Sequence, residues 1–156
     1  RRRYADFLKR DFPRIPLTSS CDLFEALVTH GKALIMLHTM QDVLPRITRF
    51  DVAGSNEVVK VRWADEPASP TGGQAGVGRV YINQEQYFGA VPLAVWEMHI
   101  GGYRVAEKWL KDRKGRQLSY DDLTHYQSVI AALARTLALQ HEIDSVIELA
   151  GGWPLR

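Results

Sequence analysis

Six cationic side chains between residues 104 and 116 are the feature of this sequence whose spacing most directly predicts a chemistry. They are Arg104, Lys108, Lys111, Arg113, Lys114 and Arg116, with Glu107 and Asp112 among them. On a helix that starts near Tyr103, positions 104, 108 and 111 share one face, because residues three or four apart are neighbours on a helix. Positions 113, 114 and 116 continue around Gly115, where a loop can follow a curved surface.

Two interpretations of this basic segment stay open at this point. Six donors over about 20 Å of helix and loop match duplex DNA, which carries one charge per about 1.7 Å of axis. Alternatively, the segment is a solvated helix face whose cations offset the helix dipole at its C-terminal end. The charge pattern alone does not separate nucleic-acid binding from this structural explanation.

Catalytic chemistry finds little support elsewhere in the chain. No two of the five histidines lie three or four residues apart, and HExxH and CxxC arrangements are absent, so we predict no metal site. Cys21 lies at a helix start, where a thiol can be activated, but a small buried apolar residue is the simpler interpretation. The glycines of TGGQAGVG lack the lysine and helix of a phosphate loop, and the FxGxG and NPPY patterns of an adenine methyltransferase are missing. We therefore expect no catalytic residue and no cofactor in this chain.

Length and composition indicate a single domain over residues 1–156. The chain is 46% hydrophobic and 24% charged with a formal net charge of +2, which argues against a disordered chain and against a polybasic tail. Its longest apolar runs are short, such as ALIML at 33–37, so we expect no membrane span. A single cysteine and the lack of a signal peptide favour the cytoplasm. A first residue other than methionine suggests a piece of a longer polypeptide.

Helical periodicity predicts the elements that must position the basic segment. Residues 4–16 read as a lead-in of one or two helical turns, and residues 21–40 read as a helix capped by Ser19 or Ser20. A long C-terminal helix begins after Ser119, which has the spacing of a capping box with Asp122. A break of this helix near Gln140 is left open.

A period of two predicts the strands. VVKVRWA at 58–64 and GRVYIN at 78–83 indicate two strands, most simply antiparallel, and residues 66–78 between them predict a flexible loop. Residues 95–100 are either a third strand or an ordered segment that ends at Gly101-Gly102. The predicted fold class is therefore α+β, mainly helical with a small antiparallel sheet and a long C-terminal helix.

Residues 101–133, GGYRVAEKWLKDRKGRQLSYDDLTHYQSVIAAL, resemble a known family. They are similar to the C-terminal region of type ISP restriction-modification enzymes and related large adenine-specific DNA methyltransferases. In that region, GGY-x-V-x-(D/E)-KWLK-x-RKGR is followed by a helix with HYQ. Residues 4–17, 23–38 and 78–103 resemble the same region in the same order, so the resemblance covers about residues 4–150.

The resemblance implies a target-recognition region at the end of a long polypeptide that also carries a nuclease, a helicase-like motor and an adenine N6-methyltransferase. It implies double-stranded DNA and the upstream methyltransferase and helicase-like domains as partners, with S-adenosylmethionine bound upstream and not in this chain. The signature positions in this sequence are Gly101, Gly102, Tyr103, Lys108, Trp109, Lys111, Arg113, Lys114, Gly115, Arg116, His125 and Tyr126.

Contacts to DNA phosphates are therefore expected from one set of residues. They are Arg104, Lys108, Lys111, Arg113, Lys114 and Arg116, with Tyr103 as a hydroxyl donor or a wedge. Trp109 is expected in the core, and the loops near 51–57 and 66–78, with Asn56, Gln74 and Arg79, are expected to read bases. An alternative is an intramolecular module that packs against the methyltransferase domain without touching DNA. An independent enzyme would need a side-chain triad assembled from distant residues.

Overall fold

The computed structural model describes residues 17–42, 44–66 and 76–153. The lead-in turns predicted at 4–16 and most of the flexible loop predicted at 66–78, including Gln74, lie outside these residues.

Helix α1 spans Cys21–His38 and begins where the sequence predicts. The Ser20 hydroxyl oxygen accepts a hydrogen bond from the backbone N–H of Leu23 at 3.3 Å, so Ser20 is the cap. Leu23 and Leu37 are buried, and α1 packs against the C-terminal helix. The expectation that Cys21 is buried is wrong, because this residue is exposed. It lies two residues before Leu23, which turns its side chain about 200° round the helix from the packed face.

A three-stranded antiparallel sheet follows, formed by β1 (Arg62–Asp65), β2 (Val77–Tyr81) and β3 (Tyr87–Pro92) in that order. The antiparallel pairing of the first two strands is confirmed. The third strand is Tyr87–Pro92, and of residues 95–100, considered as a third strand or an ordered segment, only His99–Ile100 form a strand. Ala90 in β3 has a φ of 58°, and the register shifts opposite it, between Gly78 and Val80. Because of this irregularity, β3 lacks the strict alternation of buried and exposed residues by which a strand is recognised in a sequence.

Residues 93–104 form a short helix and a hairpin. Helix α2 is a single turn, Leu93–Trp96, and buries Val95 and Trp96. Strands β4 (His99–Ile100) and β5 (Tyr103–Arg104) pair across Gly101 and Gly102, which have φ values of 62° and 89°. A two-residue hairpin turn with both central residues at positive φ favours glycine at both positions.

Helices α3 (Val105–Lys111) and α4 (Tyr120–Leu149) complete the described fold. The capping box is confirmed, since the Ser119 hydroxyl accepts from the Asp122 N–H and the Asp122 carboxylate accepts from the Ser119 N–H. Helix α4 is continuous through Gln140, without the break left open above. The core gathers side chains from the sheet, α2, α3 and α4, among them Val80, Phe88, Val95, Leu110, Tyr126 and Ile130.

The predicted α+β class, with a small antiparallel sheet and a long C-terminal helix, is confirmed. Within residues 17–42, 44–66 and 76–153, no helix is both long enough and apolar enough to cross a membrane.

Candidate nucleic-acid interface

The basic segment, residues 104–116, lies between the core and the β4–β5 hairpin, which turns at Gly101 and Gly102. Arg104 ends β5 and is the N-cap of α3, so the helix starts two residues later than the sequence predicts. Ala106 and Leu110 are fully buried and fix α3 to the core. The side chains on the opposite face of this short helix are therefore held at the surface.

The two lysines of α3 are paired with carboxylates of neighbouring residues. The Nζ of Lys108 lies 2.8 Å from the Asp112 carboxylate, and the Nζ of Lys111 lies 2.7 Å from the Glu107 carboxylate. Exposed pairs of this i,i+4 type contribute only about 0.3–0.5 kcal/mol each, so a phosphate could replace the carboxylate with little loss of stability. Of the face predicted to be openly positive, the two lysines are therefore locally neutralised.

Arg113 packs into the domain. Its guanidinium carbon lies 3.5 Å from the centroid of the Trp109 ring, and its Nη1 donates to the Trp109 carbonyl oxygen at 3.0 Å. Its Nε lies 3.7 Å from a carboxylate oxygen of Asp122, in the capping box of α4. The backbone N–H of Ser119, followed by its hydroxyl and the charges of Arg113 and Arg116, lowers the pKa of Asp122 against the opposing effect of burial. Arg113 thus links the end of α3 to the start of α4.

The other three cations of the segment have no such partner. Among the residues that the structure describes, neither Arg104, Lys114 nor Arg116 has a carboxylate oxygen within 4.0 Å of a side-chain nitrogen. Lys114 and Arg116 are exposed, and Arg104 is half-buried. The available positive charge therefore lies mainly in the loop after α3.

Backbone hydrogen bonds fix this loop to residues 56–58. The N–H of Gly115 donates to the Val58 carbonyl at 2.8 Å, and the N–H of Val58 donates to the Arg116 carbonyl at 3.0 Å. The N–H of Leu118 donates to the Asn56 carbonyl at 2.9 Å. Gly115 has a φ of 78°, a conformation that glycine adopts without strain. Lys114 and Arg116 therefore project from a well-held backbone.

The remaining signature residues divide between surface and core. Tyr103 is 62% exposed, and His125 is also exposed. Trp109 packs against the core as predicted, with its ring centroid 5.1 Å from that of Tyr126. Tyr126 is fully buried, which raises its pKa, and its hydroxyl donates to the Ala106 carbonyl at 3.3 Å. Packing accounts for Trp109 and Tyr126 without any ligand.

Of the side chains expected to read bases, Asn56 and Arg79 are engaged within the domain. The Asn56 side-chain oxygen accepts from Nε2 of Gln86 at 2.7 Å, and the Asn56 N–H donates to Oε1 of the same side chain at 2.7 Å. Gln86 is 1% exposed, so this pair is a buried support for the loop. Arg79 lies over the Tyr87 ring at 4.5 Å, and its Nε is 3.7 Å from the Glu66 carboxylate.

The sequence predicts a role for Arg79 but not for Arg62, a second cation on the outer face of the three-stranded sheet. Arg62 lies opposite Tyr81 in the register of β1 and β2, and its guanidinium carbon is 3.6 Å from the centroid of that ring. Alternation along RWAD and VGRVY could have placed Arg62, Arg79 and Tyr81 on one face once the two strands were aligned.

Comparison with known families decides the classification. The sequence profile of the Type ISP C-terminal specificity domain matches residues 1–142. The chain belongs to the Type ISP C-terminal specificity domain family. The resemblance noted in the sequence is thereby confirmed.

A solved structure has the same fold as this specificity domain. It is a nuclease-deletion mutant of the Type ISP restriction-modification enzyme LlaGI in complex with a DNA substrate mimic. The similarity has a TM-score of 0.59 at 23% sequence identity and covers 92% of this chain. It covers 14% of the LlaGI chain, so the specificity domain corresponds to a small part of that enzyme. Among curated proteins, none matches significantly.

Over residues 17–42, 44–66 and 76–153, no group of three or more His, Cys, Asp and Glu side chains is arranged to hold a metal ion.

Proposed function

We propose that this specificity domain is the DNA target-recognition module of a restriction-modification adenine N6-methyltransferase. In this proposal the domain grips duplex DNA while an upstream domain of the same cytoplasmic polypeptide methylates the base. Methylation on a base requires the nucleotide to leave the stack, and a module that holds the flanking duplex supports that step.

The proposal depends on the loop that carries Lys114 and Arg116, which we call the basic loop. Both cations are exposed, neither is paired with a described carboxylate, and the backbone beneath them is fixed to residues 56–58. Phosphate contacts that set the register of a protein on DNA require this combination of free charge and a rigid support. Lys108 and Lys111 can join them by exchanging their carboxylate partners, the exposed Asp112 and the half-buried Glu107, for phosphates.

The LlaGI complex supports the proposal, because a protein of the same fold was solved with a DNA substrate mimic. The chemistry is assigned to upstream domains. This chain has neither an FxGxG-like cofactor loop nor an NPPY tetrapeptide, so S-adenosylmethionine and the methyl transfer belong to another part of the polypeptide.

A salt series of duplex binding tests the proposal. If Arg104, Lys114 and Arg116 each neutralise one phosphate, the log-log slope of affinity against salt is about −2.7, and it reaches about −4.5 if Lys108 and Lys111 also contribute. Lys114→Glu is expected to weaken binding and to flatten the slope by about 0.9 or more.

Lys32→Glu is the matched control, because Lys32 is an exposed lysine on α1. This variant should keep the affinity and slope of the wild type. Equal losses in the two variants, or no salt-dependent binding by the wild type, would contradict a DNA-gripping role for the loop.

A second candidate function is the intramolecular module that docks on a neighbouring domain. The exposed apolar side chains of α1 favour it, in particular Phe24 at 51% and Ile35 at 63% exposure. Exposed apolar side chains grouped on one element are typical of a surface that another protein covers. Association of the chain with the upstream domains that is lost in Phe24→Ser, while duplex binding is kept, would assign α1 to docking and the basic loop to DNA.

A further inference from the structure

The outer face of the three-stranded sheet carries alternating arginine and tyrosine side chains in direct contact. Arg62 is opposite Tyr81, and Tyr81 is opposite Tyr87, so the three residues lie side by side across β1, β2 and β3. The Arg62 guanidinium carbon is 3.6 Å from the Tyr81 ring centroid, and the two tyrosine rings are 5.1 Å apart. Arg79 lies over Tyr87 at 4.5 Å. We call these four residues the arginine–tyrosine face.

The orientation of this face is fixed by the core on the other side of the sheet. Val80 and Phe88, which alternate with the residues above, are fully buried. Trp63 stacks on Trp96 at 5.7 Å and fills the space beside Gly78. A slip of one residue in β1 or β2 would bury an arginine, so the arginine–tyrosine face must point away from the core.

Charge on this side of the sheet is largely compensated, except at Arg62. The Glu66 carboxylate is paired with both Arg49 and Arg79 and accepts a hydrogen bond from the Ala90 N–H at 3.1 Å. Arg49 is also 3.5 Å from Asp51. Over the described part of the chain, no carboxylate oxygen lies within 4.0 Å of a nitrogen of Arg62. Arg62 is exposed and has no such partner, so a ligand can reach its guanidinium without displacing a carboxylate.

A guanidinium held flat on an aromatic ring keeps the N–H groups at its edge available for two parallel hydrogen bonds. In duplex DNA, this fork matches O6 and N7 of guanine in the major groove, which is wide enough for a β-ribbon. Phosphate binding gains from several clustered cations, whereas the carboxylates beside Arg49 and Arg79 leave only Arg62 uncompensated among these three arginines.

We propose that the arginine–tyrosine face reads DNA sequence, with Arg62 as the side chain that contacts a guanine and Tyr81 as the residue that positions it. This inference rests on the proposed DNA-binding function and assigns its specificity to a surface distinct from the basic loop. Arg62 thereby takes the base-reading role expected of Asn56, because the Asn56 side chain is hydrogen-bonded to Gln86.

A binding selection from a random duplex pool tests the inference without knowledge of the target sequence. The wild-type chain should enrich sequences with a fixed guanine. Arg62→Gln should bind those sequences about 5- to 150-fold more weakly, since that is the usual value of one bidentate base contact. On a duplex of only A·T pairs, the affinity and the salt slope of Arg62→Gln should equal those of the wild type, because no phosphate contact is removed.

Lys32→Gln is the matched loss of one exposed positive charge and should leave the enriched motif unchanged. Tyr81→Phe keeps the ring under Arg62 and should keep the guanine preference, whereas Tyr81→Leu should weaken that preference without changing the A·T affinity. Thermal unfolding of each variant confirms that it is folded, and Arg62→Gln carries the test alone if Tyr81→Leu does not fold.

The outcomes separate this inference from the proposed function. A wild type that binds duplex DNA with a steep salt slope but enriches no guanine overturns the reading role and leaves the grip of the basic loop intact. If Arg62→Gln instead loses affinity equally on all sequences, and its log-log slope of affinity against salt is flatter by about 0.9, then Arg62 contacts a phosphate. That result also overturns the base-reading role. A wild type that binds no duplex at all overturns the proposed function itself.

Discussion

Replacement of Arg113 by alanine distinguishes a structural link from a DNA contact. The sequence predicts that Arg113 donates hydrogen bonds to DNA phosphates. In the structure, its guanidinium carbon lies 3.5 Å from the centroid of the Trp109 ring, and its Nη1 donates to the Trp109 carbonyl oxygen at 3.0 Å. A hydrogen bond from a charged donor contributes about 1.5 kcal/mol, and a partly exposed cation–π contact contributes about 0.5–1 kcal/mol. We therefore expect Arg113→Ala to lower the free energy of unfolding by about 2 kcal/mol.

Urea and thermal unfolding measure this loss. A destabilisation of about 2 kcal/mol corresponds to a fall in Tm of roughly 4–8 °C for a chain of this length. Arg113→Lys keeps the charge but not the flat stacking group, so it should recover only part of the loss. In the duplex-binding salt series, measured well below the Tm, Arg113→Ala should leave the slope unchanged.

Lys114→Ala is the neighbouring control, because this exposed lysine should contribute less than about 0.5 kcal/mol to stability. It should flatten the salt slope by about 0.9. The opposite pattern would refute the structural assignment of Arg113: an unchanged Tm for Arg113→Ala together with a flatter slope.

Two further predictions concern the sheet and the cap of α4. Gly78→Ala should destabilise the domain by about 1–3 kcal/mol in urea unfolding, because the new Cβ would collide with the Trp63 ring. A free energy of unfolding equal to that of the wild type would contradict the packing of this ring against Gly78. Asp122→Asn should lower stability by about 1 kcal/mol at pH 7. Because folding lowers the pKa of Asp122 below its ordinary value of 3.8, this difference should be complete above that pH and disappear as the pH falls through the lower, folded pKa. Urea unfolding of both proteins from pH 7 to pH 2 checks the trend, and a difference that grows on acidification would contradict it.

The helices could be predicted from the sequence because their signals are local. Ser20 and Ser119 cap the helices that follow them, and the spacing of Ser119 and Asp122 is that of a capping box. Strand β3 could not be predicted in the same way. Its register depends on Ala90 at positive φ and on the shift opposite it, both of which are fixed by the neighbouring strand.

The candidate site could be predicted in part. The i,i+4 spacing of Glu107 with Lys111 and of Lys108 with Asp112 is visible in the sequence and already favours pairing within the segment. The role of Arg113 could not be read from the sequence, because the Asp122 carboxylate reaches it only through the fold. The same holds for Arg62, whose ring partner Tyr81 is supplied by the adjacent strand.

The hydrogen bonds between residues 56–58 and 115–118 have a geometric consequence. The chain runs from Val58, which is bonded to the basic loop, to Arg62 in four residues, a distance of no more than about 14 Å. Neither the phosphate-gripping group nor the base-reading group can move independently of the other along this tether. The anchored phosphates and the guanine that is read would then lie a short and constant distance apart along the duplex.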